Sequence, residues 1–253
     1  MLKTGPARLS RIGLYVASIF FSLLIREGFP QTKDRTVTVF LENKNGSPDA
    51  IVGSVEEIYE DARLAIESGD YKRAEAYYKA LIDNDQNNPS FHFQLANLYE
   101  FNLYLFEDAI KEYRLAEEGL RANDIKLKAY YQEIIGQIYL NSLAKPEEAI
   151  IALQESLQTN PDNIHSQPLL YNLAVALCSV GRKEEGKDYF RKVIELQPDS
   201  NYAYVSGAQL LIFQEDYKGA LAGLMKAKEI TSDEIFKGTI DRAIEAVKSA
   251  MQE

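Results

Sequence analysis

From Val55 onward the hydrophobic positions follow a spacing that recurs. Frames of 34 residues beginning at Val55, Pro89, Ala129, Gln167 and Asn201 each read as helix, turn, helix. The starts are separated by 34, 40, 38 and 34 residues. The second and third frames take one extra residue in their internal turn, and residues 124–128 and 164–166 lie between frames. The eighth position is small throughout: Ala62, Ala96, Gly136, Ala174 and Ala208. So is the twentieth, with Ala74, Ala109, Ala149, Gly186 and Ala220, whereas the twenty-fourth is large, with Tyr78, Tyr113, Leu153, Phe190 and Leu224. Small residues on facing helices allow close backbone approach, and large ones fill the space between neighbouring pairs. The pattern predicts five stacked helical hairpins.

The punctuation between helices agrees. Ser54 and Glu57 have the spacing of a capping box opening the first helix. Gly69 and Gly181 stand where a helix should end, Asp70 and Asp216 where the next should be capped, and Pro146 in a first helical turn. Thr231 and Glu234 suggest a second capping box, opening a last helix over 234–253. Its apolar stripe is Ile235, Phe236, Ile240, Ala243, Ile244, Val247 and Met251. A stack of hairpins leaves an apolar end, and that helix is expected to cover it.

The N-terminus obeys different rules. Ile12–Ile25 is uncharged, lies between Arg11 and Arg26, and is preceded by Lys3 and Arg8. This is the layout of an export signal. As a helix those residues would span roughly 21 Å of a hydrocarbon core about 30 Å thick, a deficit that Leu9 and snorkelling arginines reduce. No small-x-small cleavage site follows. The expectation is an uncleaved signal-anchor over residues 1–28, entering the membrane through 9–26, with the helical domain outside the cytoplasm. The alternative is a cleaved signal that releases a secreted or periplasmic protein. Residues 29–54 read as a polar tether, in which Thr36–Leu41 has strand propensity.

The five frames resemble the tetratricopeptide repeat (TPR) family over residues 55–233. The fourth carries the likeness best, through Leu170, Leu173, Ala174, Leu177, Gly181, Gly186, Phe190 and Pro198. The fifth follows with Tyr204, Ala208, Leu211, Tyr217, Ala220, Leu224 and Ala227. The frames are 55–88, 89–123, 129–163, 167–200 and 201–233. No frame has the family's tryptophan, and Asp61 stands where a large apolar residue is usual. The resemblance implies an all-α helix–turn–helix solenoid, closed by the C-terminal helix, that binds a protein or peptide segment on a concave wall. Positions two, five, nine and twelve of each first helix build that wall. Here they include Tyr59, Arg63, Phe93, Asn97, Tyr130, Glu133, Gln137, Tyr171, Val175, Tyr202, Val205 and Gln209. Tyr130, Tyr171 and Tyr202 are expected to face solvent when no partner is bound. Some family members clamp a C-terminal carboxylate with lysines, but Phe93, Pro168 and Tyr202 occupy clamp positions here.

Composition narrows the chemistry. The chain carries a net charge of −10, with 21 Lys/Arg against 34 Asp/Glu from residue 55 onward, so a phosphate backbone is repelled and nucleic acid is not an expected partner. Cys178 is the sole cysteine and the histidines are His92 and His165, too few for a Cys/His metal centre or a histidine-based triad. Glu147–Glu148 and Glu184–Glu185 lie in first helical turns, where acids favour the macrodipole. The sequence thus predicts no catalytic residue, no cofactor and no metal. It predicts a non-catalytic scaffold or adaptor, with an accessory subunit of a larger complex as the alternative and a cytoplasmic co-chaperone as the weaker one.

Overall fold

The structure, a computed structural model, describes residues 36–42 and 48–252. The expected signal-anchor lies outside the described residues. Among the described residues, no helix is long and apolar enough to cross a membrane. The chain divides into two compact units, 1–122 and 123–253.

The first unit begins with an antiparallel hairpin of β1 (Thr36–Glu42) and β2 (Pro48–Ser54), in which Val37 pairs with Gly53 and Val39 with Ile51. This corrects the expectation of a tether over these residues. The alternation in TVTVFL turns Val37 and Val39 into the core and leaves Thr36, Thr38 and Phe40 exposed. Two helical pairs follow: α1 (Val55–Ser68) with α2 (Tyr71–Asn84), and α3 (Pro89–Leu98) with α4 (Phe106–Glu118). β1 lies on α2 and β2 on α1, so the hairpin covers the apolar end where a preceding repeat would otherwise pack. The Ser54–Glu57 capping box forms in both directions.

The second unit holds α5 (Ile125–Asn141) with α6 (Pro146–Thr159), α7 (Gln167–Ser179) with α8 (Lys183–Leu196), and α9 (Asn201–Ile212) with α10 (Tyr217–Ile230). The final α11 (Glu234–Ala250) lies on α10. Helix α5 starts earlier than its frame and absorbs residues 125–128, assigned between the second and third frames. Ile240, Ile244 and Val247 bury against Val205, Ala208, Ala220, Leu224 and Ala227. Ile235 and Met251 depart from the expected stripe and are exposed. The helix start also differs from expectation. Asp233, not Thr231, is the cap, its carboxylate accepting from the Ile235 and Phe236 amides. A carboxylate at this point satisfies two orphan donors and favours the positive end of the helix dipole.

The packing columns appear in both units. All ten small positions are buried, and the five large ones are at most 1% exposed. A Cβ on Gly136 would lie 2.6 Å from Leu153 Cγ, and one on Gly186 would lie 2.3 Å from Cys178 Sγ and 2.9 Å from the Ala174 carbonyl oxygen. The inner turns obey one geometry at two lengths. Gly69, Gly181 and Glu215 precede amides that close onto the carbonyl five residues back, Asp70 to Ala65, Arg182 to Leu177 and Asp216 to Leu211. Tyr104 and Ala144, in the two longer turns, precede amides that reach six back, Leu105 to Tyr99 and Lys145 to Tyr139. All five residues at this position have positive φ. The extra residue of the second frame is taken up by a π-helical turn, Tyr99–Leu103.

Candidate functional site: the first-helix walls

In the first unit the residues predicted to form the wall are engaged with other side chains of the fold. Tyr59 packs edge-on to Tyr78 at 6.1 Å between ring centroids and against Phe91 at 6.5 Å, and burial pushes its hydroxyl far above the ordinary tyrosine range. The Arg63 guanidinium binds Glu60 through two nitrogens, at 2.9 and 2.6 Å, and also binds Glu67. Phe93 packs on Tyr113 at 5.8 Å.

The Tyr113 hydroxyl lies 2.7 Å from both Asn97 Oδ1 and Glu100 Oε2. One hydroxyl proton cannot serve both acceptors at full strength. A neutral Glu100 carboxyl resolves the conflict by donating to Tyr113, which then donates to Asn97. Consistently, burial pushes Glu100 up to about 7, against the lowering effect of its hydrogen bond with Tyr113. Sequence reading missed Glu100, although it stands at the twelfth position of its frame.

His92 is buried, as its aromatic position suggests, with Nδ1 at 2.7 Å from Glu112 Oε2 and Nε2 at 2.9 Å from the Gln86 carbonyl. Both partners accept, so both ring nitrogens donate and the ring is cationic. Burial opposes the charge, but the bonds to Glu112 and Gln86 outweigh it and raise the pKa. This is a structural ion pair. A cleft of about 380 Å³ in the same unit is lined by Ile51, Asp61, Leu64, Ala65, Arg73 and Tyr77. The unusual Asp61 therefore sits beside the hairpin, where no earlier repeat demands an apolar partner.

The second unit has a different wall. Tyr130 is 44% exposed, as predicted. Tyr171 and Tyr202 are not exposed rings, which corrects that expectation. They are half-buried, 5.6 Å apart, and α11 brings Phe236 to 6.3 Å from Tyr171 and 4.7 Å from Tyr202. Tyr171 also meets Phe190 at 5.8 Å. Val205, placed on the wall by the family resemblance, is 3% exposed and belongs to the core. Val175, Gln137 and Gln209 are half-buried.

Glu133 accepts a hydrogen bond from Gln137 Nε2 at 3.2 Å. Burial pushes its carboxyl up to about 7, opposed only by that bond. Burial, followed by the charges of Asp233 and Glu133, pushes Tyr202 up to about 12. Glu133 therefore lies within electrostatic reach of Tyr202. The Tyr171 and Tyr202 hydroxyls have no hydrogen-bond partner among the described residues. Among those residues no group of three or more His, Cys, Asp or Glu is placed to hold a metal ion.

The pairing of helices, the columns and the left-handed turns define an all-α tetratricopeptide fold. Residues 59–125 and 168–200 match models of the tetratricopeptide repeat. Among solved structures, a tetratricopeptide repeat protein from Parabacteroides merdae is similar at a TM-score of 0.59 and 18% identity, over 77% of this chain and 73% of that one. YrrB, described as a TPR protein with an unusual peptide-binding site, is similar at 0.51 and 19%, over 73% and 90%. A DnaJ homolog subfamily C member 7 homolog from Dictyostelium discoideum is 26% identical over 203 residues, 75% of this chain. The chain spans about a third of that relative's length, 36%. Tetratricopeptide repeat proteins generally mediate protein–protein interaction and are generally non-catalytic scaffolds.

Proposed function

We propose that this protein is a non-catalytic interaction scaffold that holds a segment of a partner protein on the first-helix wall of its second unit. The observation that carries this reading is the state of that wall among the described residues: half-buried tyrosines whose hydroxyls make no hydrogen bond there, a carboxylate with one weak partner there, and an exposed ring at Tyr130. Aromatic area with uncommitted polar atoms suits an extended peptide, because rings supply contact and hydroxyls supply orientation. The peptide-binding site named for YrrB lends this reading support by analogy.

Residues 9–26 tether the scaffold to a membrane, with the repeats outside the cytoplasm. The uncharged run between Arg11 and Arg26 supports this. Fractionation with N-terminal sequencing tests it, since a processed or soluble chain overturns the anchor. A photo-crosslinking amino acid at position 130 tests the wall, with position 151, exposed on a second helix, as control. A discrete crosslinked protein at 130 alone is expected, and equal labelling at both sites overturns the reading. A cytoplasmic co-chaperone is the second reading, favoured by the DnaJ-type relative. An intact, soluble, cytoplasmic chain would support it.

A further inference from the structure

We propose that the second unit's wall selects a partner segment bearing a lysine or arginine side chain, with Glu133 as the counter-charge and the Tyr171–Tyr202 cluster as its bed. This rests on the peptide reading above and names the chemistry of the occupant.

The argument starts from what Glu133 lacks. Its carboxylate is half-buried on a first helix, and its one hydrogen bond among the described residues is the 3.2 Å contact from a neutral amide. An ionised carboxylate offers about four acceptor sites. Neither a lysine nor an arginine bears on its charge, and the group raised by its presence is an aromatic hydroxyl, Tyr202. Holding a charge in that setting is costly unless a cation pairs with it. Several surface acids of the unit are paired along their helices, such as Glu184 with Lys187 and Glu185 with Arg182, and others, such as Glu147 and Glu195, are exposed to water. Glu133 is half-buried and has no ion pair among the described residues.

The neighbours complete the match. Glu133 on α5, Tyr171 on α7 and Tyr202 on α9 stand on first helices that touch in that order, with Phe236 against both tyrosine rings. A cation on this wall is attracted both to the carboxylate and to aromatic rings. The two tyrosine oxygens can accept from an ammonium or guanidinium. The other charge that bears on Tyr202 is Asp233, again an acid. An acidic peptide would meet repulsion here. The wall is thus opposite in charge to a lysine-built carboxylate clamp.

The test uses the full chain in mild detergent, panned against a random heptapeptide library, in parallel with Glu133→Gln. Selected peptides should share a lysine or arginine at one position on the wild-type protein and lose that preference on Glu133→Gln. For the best peptide, replacing that lysine by norleucine should weaken binding tenfold or more on the wild type and by less than threefold on Glu133→Gln, a coupling that folding defects cannot mimic. Peptides without a basic preference, or with one that persists on Glu133→Gln, overturn this inference and leave the peptide reading standing. If no peptide is enriched on either protein, the peptide reading fails, and the inference with it.

Discussion

The two units are built by the same packing rule and spend their first-helix residues differently. In the first, Arg63 is held by Glu60 and Glu67, Phe93 lies on Tyr113, and Asn97, Tyr113 and Glu100 form a closed relay. In the second, Glu133 has one weak partner and the hydroxyls of Tyr171 and Tyr202 have none among the described residues. Side chains already satisfied within the fold contribute rigidity and gain little from a ligand. Side chains left short of partners gain most when one arrives. Spacing places both sets on first helices, but the first set is more fully partnered within the fold than the second.

The shared rule can be broken with the largest effect. Gly186→Leu should cost about 3 kcal/mol or more in denaturant unfolding, because even its Cβ would overlap Cys178 and the Ala174 carbonyl. An unchanged midpoint would mean that the small column does not set the helix spacing.

The contrast between the walls is sharpest in paired hydroxyl deletions. Tyr113→Phe removes the hydroxyl that links Asn97 and Glu100 and should cost about 2 kcal/mol, since buried polar atoms lose their partner. Tyr171→Phe should change stability by less than about 0.5 kcal/mol, since no hydrogen bond is lost. Equal costs for the two substitutions would erase the distinction drawn here.

Glu100 adds a pH signature. Its folded pKa, about 7, lies above the ordinary value of 4.5, so between those values the native state binds more protons than the unfolded one. Stability from this group is therefore lost as pH rises from about 4.5 to about 7. Glu133 acts in the same window, and His92, also raised, adds a loss of the same sign above 6.5. Glu100→Gln, which preserves a donor to Tyr113, should gain about 1 kcal/mol or more at pH 8 and flatten urea-derived stability between pH 5 and 7. A variant as steep as the wild type would remove Glu100 from that slope.

The smallest effect belongs to Tyr130→Ala, which should cost about 0.5 kcal/mol or less, because an exposed ring loses little burial. Early melting would make Tyr130 a structural residue and shrink the open wall to Glu133, Tyr171 and Tyr202.

Sequence alone determined the helical hairpins, the small and large columns, the two glycine turns at Gly69 and Gly181 and the closing helix, but not the left-handed residues Tyr104, Ala144 and Glu215. Each depends on a local period or on one residue's steric limits, so Gly69, Ala174 or Phe190 can be placed without knowing what lies across from it. Propensity in TVTVFL pointed to a strand, but only its partner β2 and the uncovered end of α1 and α2 made it a hairpin. The state of the wall was decided entirely by tertiary structure. Tyr171 and Tyr202 are half-buried because α11 returns Phe236 to them, and Val205 is buried because α11 also covers α9 and α10. Glu100 is held by Tyr113 from the next helix, whereas Glu133 meets Gln137 on its own helix and acts on Tyr202 of α9 through its charge. Exposure and charge depend on residues distant in the chain, and no periodicity within one helix encodes them.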